Sequence, residues 1–402
     1  MKAGLRRGAC PSLAAPMLTG DGWLVRFTPA CGLSPHQLGG LARAARRYGS
    51  GHIEVTARGG LQVRGLAAEA APEFAAALPQ LGIPVRPGLS IVCGSLAGVD
   101  GAEIADPRPL ASDINAEAAA RGLDERLGPK VSVIVDGGGA PSLSELAADL
   151  RLEAFYDQAR VQWLLVAGQR VIGSGDAAAV AAAALAVLEC LADEGADKRV
   201  RHLDAAVLSR CAARLRPARV RPPHGTGTPV GTFALRDGTS ARGYGLAFGQ
   251  TTSDALAEFA DAAAVAREIR LAPGRGLLVL GLDGANEARL TAHADRLGFA
   301  TDAGDPRLGI IACAGAPACS RGYFATRALA EEIARLQPHW LDGACRLHLS
   351  GCAKRCAQPA GPSLTVLGRE AGLDLVADGV MPSEALRAFL LERGGAYVVS
   401  RA

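Results

Sequence analysis

IEVTARGGLQVRGL (residues 53–66) and IRLAPGRGLLVLGL (residues 269–282) agree at six of fourteen positions, at a constant offset of 269 − 53 = 216. Each reads as two short apolar strands around a glycine turn, with Gly60/Gly276 and Gly65/Gly281 held in common. Each follows an Ala/Leu-rich amphipathic stretch, 35–48 in the first case and 253–267 in the second. The correspondence continues downstream. SIVC at 90–93 answers GIIAC at 309–313, and VSVIVDG at 131–137 answers RLHLSG at 346–351.

A period of 216 is far too long for a solenoid, so the chain reads as one module present twice. Within each copy a β-α-β unit comes first and a mixed α/β unit follows, which predicts an α+β fold. The divisions fall at 1–80 and 81–216 for the first copy, and 232–300 and 301–402 for the second. PARVRPPHGTGTPVG, residues 217–231, joins them as a Pro/Gly/Thr-rich linker.

Composition excludes several classes. With 402 residues, 49% hydrophobic and 21% charged, the chain supports a sizeable core and is not globally disordered. Lys and Arg number 43 against 40 acids, a net charge of +3, too balanced for nucleic-acid binding by bulk charge. Aromatics at 4% also argue against a base-stacking platform. The longest apolar run, residues 177–188, has twelve residues, short of the ~20 that span a bilayer. MKAGLRRGACPSLAAPM at the start has basic residues but no apolar core, so no signal peptide is read. The expectation is a soluble, cytoplasmic protein that binds neither nucleic acid nor membrane.

Ten cysteines in a reducing compartment are not a disulfide framework. Six stand singly and read as small core hydrophobes. The other four form tight pairs, Cys313-x5-Cys319 and Cys352-x3-Cys356, in the second copy only. The first copy has Cys93 alone and Gly137-Gly-Gly139 where the later pair falls. Zinc ribbons space their ligands C-x2–4-C, so the x5 gap favours a [4Fe-4S] cluster over zinc or a metal-free reading. The small flanking residues Ala314, Gly315, Ala316, Ala318, Gly351 and Ala353 let backbone N–H groups approach the cluster sulfides. One competing motif is set aside. Gly173-Ser-Gly175-Asp-Ala-Ala178 fits a dinucleotide fingerprint, but Asp176 would repel a pyrophosphate, and it reads instead as a helix cap.

On this repeat and these four cysteines the chain resembles the sirohaem-dependent nitrite/sulfite reductase family. The resemblance implies a duplicated nitrite/sulfite reductase-like module, two ferredoxin-like halves (1–80 and 232–300) plus two α/β domains (81–216 and 301–402). It makes Cys313, Cys319, Cys352 and Cys356 the cluster ligands and turns the strand around Arg58, Gln62 and Arg64 toward a tetrapyrrole. The reductases carry a Lys-x-Lys pair for their small anion; here Lys130 matches and Ser132 does not. Arg7-Gly-Ala-Cys-Pro11 with Thr19-Gly-Asp-Gly22, the stretch 129–139, and Ser350-Gly-Cys-Ala-Lys-Arg-Cys-Ala357 look instead like the precorrin-3B synthase branch of the family.

That branch implies precorrin-3A, dioxygen and an external electron donor as partners, in oxygen-dependent hydroxylation and lactone formation on the ring for cobalamin biosynthesis. An octacarboxylate needs several cations, and Arg26, Arg58, Arg64 and Lys130, with Gln62, are the expected contacts. Lys354 and Arg355, between two of the cysteines, would offset an anionic cluster or substrate. The resemblance also implies a mononuclear non-haem iron, although the seven histidines show no ligand triad by spacing. The alternatives are a sirohaem-dependent sulfite or nitrite reductase, and a non-catalytic tetrapyrrole-binding iron–sulfur protein.

Overall fold

The computed structural model describes residues 10–218, 227–336, 346–356, 358–359, 362–379, 383–392 and 395–396. Residues 7–9 of the RGACP stretch, 219–226 of the expected linker, His224, His339, Cys345 and Ala357 lie outside the described residues.

The first copy opens with β1 (Met17–Thr19), β2 (Gly22–Phe27), α1 (Pro35–Tyr48), β3 (His52–Val55), β4 (Leu61–Leu66) and α2 (Ala70–Gln80). Its strands pair antiparallel in the order β1-β2-β4-β3. Strand alternation sends Val25, Phe27, Ile53, Val55, Leu61 and Val63 into the core with the helices. α1 starts at a capping box: Gln37 N–H donates to Ser34 Oγ, and Ser34 N–H donates to the Gln37 side chain. Leu38, Leu41, Ala42 and Ala45 then form its buried stripe.

A mixed sheet follows, with β5 (Ser90–Cys93), β6 (Ser132–Asp136), β7 (Leu150–Asp157), β8 (Arg160–Ala167) and β9 (Arg170–Gly175) in chain order. β5, β6 and β7 run parallel, and β7, β8 and β9 antiparallel. α3 (Arg108–Ala120), α4 (Leu123–Arg126), α5 (Ala177–Glu194) and α6 (Ala205–Cys211) close a second core over it. Asp176 caps α5 by accepting from Ala179 N–H at 2.8 Å.

The second copy repeats the plan. β10 (Gly231–Ala234), β11 (Ser240–Leu246), β12 (Gln250–Thr252), α7 (Ser253–Ala262), β13 (Glu268–Ala272), β14 (Gly276–Leu280), α8 (Gly284–Arg296) and β15 (Phe299–Ala300) come first. β16 (Ile310–Ala312), α9 (Thr326–Leu336), β17 (Arg346–Ser350), β18 (Ser363–Arg369), β19 (Gly372–Asp378), α10 (Glu384–Leu391) and β20 (Gly395–Ala396) complete it. Ile53 faces Val63 in the first hairpin, and Ile269 faces Val279 in the second, so the repeat holds in register. The fold is α+β and duplicated. No helix of the described residues is long and apolar enough to cross a membrane.

Sequence order alone does not show how the copies join. β12, from the second copy, is the edge strand of the first copy's sheet, pairing with β3. In return Leu33, just before α1, bridges Ile269 on β13 through two backbone hydrogen bonds of 2.8 and 2.7 Å. Each copy thus caps the other's open edge. The two antiparallel sheets and α1, α2, α7 and α8 share one hydrophobic core.

Phe259 on α7 sits at the centre of that shared core, in contact with the rings of Tyr244 and Phe299. Phe259→Ala should cost about 3–5 kcal/mol, measured by urea unfolding. Both halves should lose stability in the same transition.

Candidate functional site

The face of the first sheet turned away from the helices is polar. Across four strands, Arg26, Gln62, Glu54 and Gln250 stand in register as one transverse row. Arg26 donates to Gln62 Oε1 from Nε (3.1 Å) and Nη2 (2.6 Å), and Gln62 Nε2 donates to Glu54 Oε2. Gln250 Nε2 donates to Ala312 O at 2.8 Å, while its Oε1 has no partner. The row therefore runs from an exposed arginine to the residue before Cys313. Burial pushes the Glu54 carboxyl above its ordinary pKa, against the pull of Arg64, Arg327 and Arg26.

The Thr19-Gly-Asp-Gly22 turn links this face to the cysteines. Asp21 receives Arg64 Nε and Nη2 at 2.8 and 2.9 Å, a bidentate pair. Burial works against ionising Asp21, but the Arg64 hydrogen bond and charge outweigh it and hold the carboxyl below its usual value. Arg64 also lies 3.5 Å from Glu54. Next in the turn, Gly20 packs on Cys319, where a Cβ would come 2.7 Å from Sγ. Only glycine lets the cysteine loop lie this close.

The four cysteines sit in two loops at the ends of neighbouring parallel strands. Cys313 follows β16, Cys319 precedes α9, and Cys352 and Cys356 follow β17. Tyr323 N–H to Gly351 O (2.8 Å) ties the loops together, and Gly351 N–H donates to Cys313 Sγ at 3.2 Å. Burial, and then the charges of Cys313 and Cys352, push the Cys356 thiol pKa up. Cysteine sulfurs on two loops tied to each other, with a backbone N–H on one of them, are what an iron–sulfur cluster uses. Among the described residues no three His, Cys, Asp or Glu converge as on a single ion. Four cysteine sulfurs on two tied loops are nevertheless the donor chemistry a [4Fe-4S] cluster takes. No residues are assigned to a mononuclear iron.

Of the residues expected to meet substrate, Arg26, Gln62 and Arg64 share the polar face. Arg58, in the turn after β3, donates from Nη2 to Ser132 Oγ (3.2 Å) and Ala147 O (2.6 Å). Lys130 is exposed in the turn before β6. Arg64 differs from the expectation in one respect, because its charge is already matched by Asp21 and Glu54.

Sequence reasoning missed several neighbours. Arg327, on α9, contacts His52 Nδ1 through Nη1 at 3.1 Å, while its buried Nε and Nη2 have no partner. Burial lowers the pKa of His52, and the Arg327 charge lowers it further. His348, fully buried on β17, contacts Cys356 O through Nε2 (2.9 Å) and Thr365 Oγ1 through Nδ1 (3.2 Å), bracing the second cysteine loop. Arg199 binds the buried carboxylate of Asp149 beside Ser132. His348 lies within the repeated strand RLHLSG, whereas Arg327, Arg199 and Asp149 carried no sequence signal.

Residues 15–81 match the nitrite/sulfite reductase ferredoxin-like half domain family. The fold is similar to that of the Mycobacterium tuberculosis NirA protein, with TM-score 0.71 and 19% identity over 87% of this chain and 72% of that one. The ferredoxin–nitrite reductase of Synechococcus elongatus is 24% identical over 85% of this chain and 75% of its own length. A precorrin-3B synthase from a Sinorhizobium species is 40% identical over 386 residues, covering 94% of this chain and 84% of that protein. The chain belongs to the precorrin-3B synthase family. For this member of the precorrin-3B synthase family, the polar row and the cysteine loops lie at one junction between the two copies.

Arg64 and Asp21 are both largely shielded from solvent, at 11% and 7% exposure. Arg64→Ala strands a buried carboxylate and should lower stability by about 3–5 kcal/mol in urea unfolding at pH 7. Asp21 regains its proton in acid, so the difference from wild type should shrink as pH falls through the carboxylate range.

Proposed function

We propose that the protein is a precorrin-3B synthase, hydroxylating precorrin-3A with dioxygen and closing a lactone in cobalamin biosynthesis. The observation that carries this reading is 40% identity over 94% of the chain to a precorrin-3B synthase. One oxygen atom enters the ring and the other leaves as water, with two electrons and two protons from an external donor. The protein works in the cytoplasm.

Cys313, Cys319, Cys352 and Cys356 hold a [4Fe-4S] cluster. Ground-state dioxygen reacts poorly with closed-shell organic molecules, and a cluster supplies single electrons that overcome this. The chain's own residues do the rest. Arg26 and Arg58 take carboxylates of the macrocycle, Lys130 adds a third cation, and Gln62 fixes the Arg26 side chain. Arg64 serves chiefly to hold the turn that carries Gly20 and Asp21 against the Cys319 loop. Ser132, buried and hydrogen-bonded to Arg58, leaves its site without the second lysine that a small dianion meets in the reductases.

Cys319→Ser should abolish the brown chromophore and its reduced-state EPR signal. Gly20→Ala should lower iron and sulfide content, because its Cβ would crowd Cys319 Sγ at 2.7 Å. Full iron and sulfide in the Cys319 variant would remove that residue from the ligand set. With precorrin-3A, reductant and oxygen-18 gas, the hydroxylated lactone should carry the label. Sirohaem in the purified protein, with brisk sulfite or nitrite reduction, would support a reductase instead. Precorrin binding without oxygen-dependent turnover would support a non-catalytic carrier.

A further inference from the structure

The hairpin turns of the two copies touch. Gly274 N–H donates to Ala57 O at 3.0 Å, and Arg58 bridges Pro273. At offset 216, Gly59 of the first turn corresponds to Arg275 of the second, and both are left-handed, with φ of +74° and +69°. Glycine adopts that conformation without strain, whereas arginine does not. Backbone strain of this kind concentrates at ligand sites.

The surroundings hold Arg275 in place. Leu246 N–H donates to its carbonyl at 3.0 Å. Its side chain crosses Gly249, itself left-handed at φ +79°, where a Cβ would run into Arg275 Cδ. Phe248 beside it is also left-handed at φ +58°, so three such residues meet at one point.

Among the described residues the Arg275 guanidinium makes no hydrogen bond or ion pair. Its neighbours are already matched. Arg346 pairs with Glu145 (2.8 Å) and donates to Leu308 O, and Glu54 is shared by Gln62 and Arg64. Burial, then the Arg346 charge, pull the Arg275 pKa down to about 10, so it remains cationic at neutral pH. A strained, largely enclosed cation with no acid of its own is arranged for an anion from outside.

We propose that Arg275 is the carboxylate receptor contributed by the second copy, taking one acidic side chain of the tetrapyrrole while Arg58, on the abutting turn, serves another. This rests on the precorrin-3A reading and adds a residue that the resemblance did not supply. Its planar fork suits a carboxylate bidentately.

The test is anaerobic titration of purified holoprotein with precorrin-3A, followed by absorbance, beside thermal unfolding of the ligand-free protein. Arg275→Gly should weaken binding about ten- to hundredfold, the loss of one charge-assisted contact. Because glycine relieves the left-handed strain, its Tm should stay level or rise by about 2–4 °C. Arg275→Lys keeps the charge and should recover part of the affinity. Wild-type affinity in Arg275→Gly, with wild type itself binding, would overturn the proposal. So would a Tm several degrees lower, which would mark Arg275 as structural support. If wild type does not bind precorrin-3A, the substrate reading fails and this proposal falls with it.

Discussion

The site depends on one backbone exchange. β12 leaves the second copy and pairs with β3, placing Gln250 opposite Glu54 and completing the row that begins at Arg26. Gln250 then reaches Ala312 O, one residue before Cys313. Register in a sheet is all-or-none, because a one-residue slip turns every side chain to the other face. A slip of β12 would bury Thr251 where Gln250 stands and cut the row from the cysteine loops. The reciprocal bridge from Leu33 to Ile269 and the shared core under both sheets hold that register.

Charge on this face is distributed by need. Asp21 and Glu54 fix Arg64, and His52 contacts Arg327, so part of the cationic field is structural. Arg58 is held by a hydroxyl and a carbonyl, which orient a guanidinium without cancelling its charge. The distinction matters for a polycarboxylate substrate. A cation already paired with a buried carboxylate offers little new attraction, whereas one held only by neutral acceptors keeps its full charge for the ligand.

The duplicated fold was legible because a hydrophobic repeat survives divergence in everything but spacing; residues 53–66 and 269–282 still agree in strand, turn and register. The shared face of Gln62 and Arg64 was legible too, from strand alternation alone. The edge exchange was not, since three residues of β12 carry no sign of which sheet they join. Nor was the commitment of Arg64 to Asp21, a contact 43 residues apart in the chain. Arg275 was hidden for a different reason. Its alignment with Gly59 was visible, but the left-handed turn that gives the substitution meaning is a property of the backbone.

The same register explains why one copy can hold four cysteines and the other cannot. On β17 and β18, His348 lies opposite Thr365 and braces the loop of Cys352 and Cys356. In the matching positions of β6 and β7, Ile134 lies opposite Arg151. Arg151 donates to Leu143 O and Leu146 O in the loop between the strands, and sits 3.4 Å from Glu153 and 3.9 Å from Asp136, both buried on the strand pair itself. Its guanidinium fills the space under the loop and anchors it by charge and carbonyl contacts. A buried arginine holds this loop from below, and Gly138 stands where Cys352 would. Cysteines placed in this loop would lack the brace that His348 gives the second copy, because Ile134 stands at its position.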